Sequence, residues 1–178
     1  KQNQGMDFGE VNVEVMYDNL MNKFNFGNME LEDVYLDETA RRLTYNLRTI
    51  YGRLANSLVE KGRSEDAIKV LDFAMEKMPV EKYGFDYFIL SMLEAYYKAG
   101  DTEKANKYIN MFADNLDDEL RYYQQFKGTD KRAIAQDVQT AGQYYQMLFQ
   151  IVQQYEVRQP MTEEALQKND MFKRYQKA

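Results

Sequence analysis

Carboxylates are the main chemical resource of this sequence. Asp114, Asp117, Asp118 and Glu119 fall in one short run, and close carboxylates can hold a divalent cation or exchange protons. The run lacks the Asp-x-Asp-x-Asp-Gly spacing and distal bidentate Glu of a calcium loop. Its plainer reading is a helix start, with negative charge at the positive end of a helix running from Leu116 to Phe126. A second candidate pair is Glu60 and Glu94. If they face each other across neighbouring helices, they fall within the roughly 5 to 9.5 Å used in two-carboxylate glycoside hydrolysis. Other familiar chemistries are excluded by composition: with no Cys, His or Trp, the chain has no disulfide, no Cys/His zinc site, no Cys nucleophile and no Ser-His-Asp arrangement. No Gly-x-Gly-x-x-Gly, phosphate loop or Ser-x-x-Lys occurs either, so no cofactor is expected. Fifteen Tyr and ten Phe could stack on sugars or anchor a peptide, though most are expected in the core, as are the eleven Met.

The chain has 178 residues, 44% hydrophobic and 29% charged, a composition that folds as about one domain. Its net charge of −6 disfavours nucleic acid, and Lys127, Lys131, Arg132 and the terminal Lys173-Arg174 read as solvated ends. The longest apolar run, Tyr87 to Leu93, is far short of a bilayer span. The first residue is Lys1 rather than Met, which reads as a processed or excised piece.

Only two prolines occur, Pro79 and Pro160, so long helices are allowed and the fold is expected to be all-α. Residues 1–33 read as an arm. Val11, Val13 and Val15 alternate like a short strand, and Tyr17, Leu20, Met21 and Phe24 then take helical spacing. The arm is expected to lie on the body through Tyr17, Leu20 and Phe24. Residues 34–178 form the body, beginning with a helix capped by Asp37 that runs to about Lys61. Gly62-Arg63 is its stop, and Ser64 caps a second helix leading to Pro79. After a loop over Val80–Phe85 the pattern returns: a helix from Asp86 to Ala99, a Gly100-Asp101 turn, and a helix from Thr102 to about Asn115. Asp130 then caps a long helix through Ile134, Val138, Ala141, Tyr145, Leu148, Val152 and Tyr155, and a last helix follows Pro160.

The helix pairs fit the 34-residue tetratricopeptide signature. Tyr51 takes its aromatic position, Leu54-Ala55 the Leu-small pair, Gly62 the turn, Ala67 and Ala74 the small positions, and Pro79 the end. The second pair matches at Ala95-Tyr96, Gly100 and Ala105, while Phe112 replaces a small residue. The expectation is a tetratricopeptide-like stack of about three antiparallel helix pairs with an irregular N-terminal arm. Tyr51, Tyr96, Tyr108 and Tyr145 fall on packing positions. The first helix of each pair lines the concave face in such stacks, and this register turns Asn56, Glu60, Leu90, Glu94 and Tyr97 inward, with Tyr87 beside them, Tyr45 one step earlier and Lys98 at the rim. Tyr45 and Tyr97 are the expected anchors for an extended peptide or polar loop.

The stretches Met21-Asn22-Lys23-Phe24, Val34-Tyr35-Leu36-Asp37-Glu38-Thr39, Asn46-Leu47-Arg48, Tyr51-Gly52-Arg53-Leu54-Ala55 and Ala67-Ile68-Lys69-Val70-Leu71-Asp72 carry a more particular resemblance, spanning roughly residues 16–110. They resemble the soluble C-terminal region of a bacterial family of multi-pass membrane proteins whose N-terminal half resembles protein O-mannosyltransferases. The resemblance implies a membrane-tethered domain on the periplasmic side. Its glycosyltransferase-like residues belong to the other half, so none is carried onto a position here. The expected function is a non-catalytic interaction or assembly domain, with a protein or peptide partner that includes the membrane-embedded half of its own parent chain. The alternative is a carbohydrate-active enzyme or sugar-binding module using the groove carboxylates and tyrosines.

Overall fold

The computed structural model describes residues 11–156, and these are helical with no strand among them. The arm begins with α1 (Val13–Asp18), which widens into one π-helical turn over Asn19–Lys23. The strand expected from the valine alternation is not formed. Asn12 caps the helix by accepting from Val15 N at 3.2 Å, and Val13 is buried while Val15 is 55% exposed. A capped helix therefore outcompetes three alternating valines that have no partner strand.

The body follows as two hairpins and a long final helix: α2 (Glu38–Glu60) with α3 (Ser64–Lys77), the single turn α4 (Val80–Tyr83), α5 (Ile89–Ala99) with α6 (Thr102–Tyr123), then α7 (Gly128–Ala133) and α8 (Ala135–Glu156). Gly62 and Gly100 close the two hairpins at φ 74° and 96°, a left-handed conformation that other residues rarely adopt. Ala55, Ala67, Ala74, Ala95 and Ala105 are fully buried, which lets the paired helices approach closely. Ring and hydrogen-bond contacts advance together along α2 and α5: Tyr45 stacks on Phe88, and farther along Asn56 receives Lys98 Nζ at 2.9 Å. The two helices therefore run in the same direction, so the second hairpin repeats the first. Gly52 marks their crossing, where an added Cβ would stand 2.5 Å from Ser91 Oγ.

Two expectations about the second half are corrected. α6 does not end near Asn115, because no Gly or Pro interrupts it and Phe112, Leu116 and Leu120 continue its apolar stripe. Asp114, Asp117, Asp118 and Glu119 thus lie inside a helix rather than at its start. Asp130 lies within α7, which Gly128 opens, rather than ahead of α8. α8 lies against α6 and α5. Ala141, Tyr145, Leu148 and Val152 are buried in that contact, whereas Val138 is exposed. The helix expected after Pro160 lies outside the described residues.

One charge is deeply buried. Arg48 on α2 has no exposed surface. It pairs with Asp86 and donates to Gly84 O at 3.0 Å and Met78 O at 3.4 Å. Asp86 in turn accepts from Phe88 N at 2.7 Å and Ile89 N at 3.1 Å, so it opens α5 from three residues ahead of it. A buried ion pair needs this degree of hydrogen bonding to offset its desolvation.

The arm is fastened by hydrogen bonds as well as apolar contact. Tyr51 OH donates to Leu20 O at 2.9 Å, and burial pushes the Tyr51 phenol well above its usual range. Lys82 Nζ donates to two arm carbonyls, Met29 at 2.9 Å and Leu31, and to Val34 O just past the arm at 2.8 Å, which engages all three of its protons. Phe24 does not hold the arm, being 43% exposed. Phe26 does: its ring centroid lies 6.0 Å from Tyr51 and 5.8 Å from Phe73.

Candidate interaction groove

Parallel α2 and α5, with α8 alongside, leave a groove of about 830 Å³ between them. The α2 wall presents Thr49, Arg53, Asn56, Ser57 and Glu60, one helical stripe at three- and four-residue steps with its neighbours, and Lys61 follows just past its end. Leu90, Ser91 and Glu94 form the α5 side, with Tyr87 and Phe88 at its entrance. The α8 wall is Met147, Gln150, Ile151 and Gln154, spaced i, i+3, i+4, i+7. Val11 of the arm completes the lining. Val11 and Arg53 also border a shallower crevice of about 430 Å³ between α1 and α2, with Val15, Met16 and Leu20 on its apolar side.

Four of the expected residues meet in this groove: Asn56, Glu60, Leu90 and Glu94. Three do not line it. Tyr97 is only 7% exposed. Its ring is stacked on Tyr155 at 5.2 Å and 3°, and its hydroxyl is bonded to Asn106. A register counted along one hairpin points it inward, but α8 arrives at that point and covers it. Tyr45 sits outside the lining and supports it from behind, stacked on Phe88 at 5.9 Å. Lys98 closes the rim, where it donates to Asn56 Oδ1 at 2.9 Å and pairs with Glu94 at 3.1 Å. The exposed aromatic surface of the groove is therefore Tyr87 and Phe88, and not Tyr45 and Tyr97.

The side chains here are held in place. Asn56 Nδ2 donates to Gly52 O at 2.9 Å, and Glu94 accepts from Tyr155 OH at 2.7 Å. Glu94, Lys98, Asn56 and Tyr155 thus join α2, α5 and α8 at one end of the groove. With its carboxylate bound to a phenol and an ammonium, Glu94 is a structural acceptor. The carboxylates of α6 are dispersed around their helix: Asp114 and Asp118 are exposed, Asp117 accepts from Tyr145 OH, and Glu119 faces burial and the Asp137 charge, which together hold its carboxyl above the usual range. Among the described residues no group of three or more carboxylates is placed to hold a metal ion. None of the helices in that span is long and apolar enough to cross a membrane. Lys127, Lys131 and Arg132 are exposed and do not line the groove.

The α8 wall escaped the sequence reading although its signal is present. Met147, Gln150, Ile151 and Gln154 flank the apolar stripe at helical spacing, but the concave register is carried by the first helix of each hairpin and does not reach them. Comparison of the chain with protein-family models, with curated proteins and with solved structures returns no match.

Proposed function

We propose that this chain is a non-catalytic interaction domain, a tetratricopeptide-like stack in which the groove between α2, α5 and α8 takes an extended peptide or polar loop from a protein partner. The observation that carries this reading is the groove itself: the first helices of both hairpins and the long α8 converge on a cavity of about 830 Å³, large enough for several residues of peptide. Its polar side chains are already fixed by Gly52, Lys98 and Tyr155, and a preorganised wall loses little entropy on binding. The resemblance over residues 16–110 supplies the setting: the soluble, periplasmic tail of a membrane-embedded glycosyltransferase-like protein, whose own membrane half is a candidate partner. The engaged state of Glu94 supports interaction over carboxylate catalysis.

Site-specific photocrosslinking in intact membranes tests the proposal. A crosslinker at Ser57 or Gln150, both in the groove, should capture a protein that one at Lys131 does not, and Phe88→Ala with Asn56→Ala should weaken the capture without loss of helical content. Crosslinking confined to Lys131 would place the working surface elsewhere. Glycosidase turnover by the purified chain, abolished by Glu60→Gln with Glu94→Gln, would establish the carbohydrate-active alternative instead.

A further inference from the structure

The charge arrangement of the groove indicates what kind of segment fits it, an argument that rests on the peptide-binding reading above. The chain as a whole is acidic, at −6. Its groove is not: the lining holds two basic residues, Arg53 and Lys61, and two acidic ones, Glu60 and Glu94. These charges are also interleaved. Glu60 and Lys61 are adjacent, and Glu94 is matched at 3.1 Å by Lys98 on the rim, whose ammonium is further occupied by Asn56. A strongly charged ligand would meet no region of opposite sign large enough to offset its desolvation.

The remaining lining is ordered along its length. At the N-terminal ends of α5 and of the α8 wall lie Tyr87, Phe88, Leu90 and Met147, with the Phe88 ring backed by Tyr45. Toward the C-terminal ends amide and hydroxyl groups predominate, Asn56, Ser57, Gln150 and Gln154 with Ile151 among them, while Thr49 and Ser91 add hydroxyls nearer the aromatic end. From Thr49 to Glu60 the α2 wall measures about 16 Å at ~1.5 Å per residue, a length spanned by about five residues of extended chain.

We infer that the partner segment is an extended, uncharged peptide of about five residues, with one large apolar side chain seated against Tyr87, Phe88 and Met147. Its main-chain amides are read by the Ser57, Gln150 and Gln154 side chains, and recognition is by amide and apolar contact, with little dependence on salt.

Selection from a displayed library of random twelve-residue peptides tests this, with counter-selection against Gln150→Trp, which fills the groove from an exposed position. Enriched sequences should carry an aromatic or Leu anchor followed or preceded by about four uncharged positions. Affinity of the synthesised peptides should change less than about twofold between 50 and 500 mM salt, because no counterions are released. Phe88→Ala should weaken them about tenfold, the loss of one apolar anchor. Enrichment of peptides with a conserved charge and a steep salt dependence would overturn this inference while leaving the groove as a peptide site. Absence of any peptide that prefers the unmodified groove to Gln150→Trp would overturn both.

Discussion

The two hairpins answer the same packing problem in different ways. In the first, the long member is the leading helix: α2 has 23 residues against 14 for α3. In the second it is the trailing helix, with 22 residues in α6 against 11 in α5. The α2–α5 crossing is built on a glycine and a buried ion pair, Gly52 and Arg48–Asp86. The α6–α8 contact is built on aromatics, Phe112 against Tyr144 at 5.4 Å, with Tyr145 OH donating to Ala113 O at 3.1 Å. Directional polar contacts fix the first junction in one register. The second is mainly aromatic, with the Tyr145 hydroxyl, shared between Ala113 O and Asp117, as its polar tie and, among the described residues, no buried ion pair to fix it. The difference teaches that the groove has a rigid wall made by α2 and α5 and a more adjustable one made by α8.

The largest test of that asymmetry is Arg48→Ala. It leaves Asp86 buried and unpaired, so unfolding stability should fall by about 3–5 kcal/mol in a urea titration. Arg121→Ala, which breaks the exposed Arg121–Asp118 pair on α6, should change it by less than about 0.5 kcal/mol. Equal effects would erase the contrast. Gly52→Ala comes next: overpacking against Ser91 should cost about 1–3 kcal/mol, and Ser91→Gly in the same chain should restore part of it. A neutral Gly52→Ala would mean that α2 and α5 do not cross so closely. Lys82→Met should release the arm, at a cost of about 1–3 kcal/mol for its lost hydrogen bonds. Amide exchange should then quicken in residues 20–34 while α5 and α6 keep their protection.

The smallest expected effect is a pH dependence at the α6–α8 contact. Burial first, and then Asp137, raise the Glu119 carboxyl above its ordinary 4.5. The folded state therefore binds this proton more tightly than the unfolded state, so the penalty is fully present above the raised value and is relieved as pH falls toward 4.5. Glu119→Gln should flatten that part of the stability profile and leave the arm contacts unchanged. An unaltered profile would remove Glu119 from the account.

Much of the helical order was legible because its signals are local. Gly62 and Gly100 sit where a left-handed residue is needed, and the alanines recur where helices must approach. The failures have physical sources as well. The Asp114–Glu119 run resembles a helix start because acidic residues favour one, yet the apolar stripe through Leu116 and Leu120 decides that the helix continues. Tyr97 shares the inward stripe of Glu94, and only the arrival of α8 removes it from the groove, a long-range event absent from any local register. Arg48 was open to detection: it stands in a stripe with Thr44, Tyr51, Ala55 and Leu58, and a lone cation among buried positions requires a counter-charge. Nothing local names Asp86, far along the chain, as that partner.

The stacked tyrosines at the closed end of the groove carry a further consequence, an optical one. The chain has no tryptophan, so its near-ultraviolet signal comes from tyrosine and phenylalanine alone. Tyr97 belongs to α5 and Tyr155 to the last turn of α8, and their rings are locked nearly parallel at 5.2 Å. Such a pair is a chiral chromophore that exists only while α8 is seated. Its near-ultraviolet circular dichroism band, identified as the part lost in Tyr155→Leu, would report the opening and closing of the adjustable wall with no label attached.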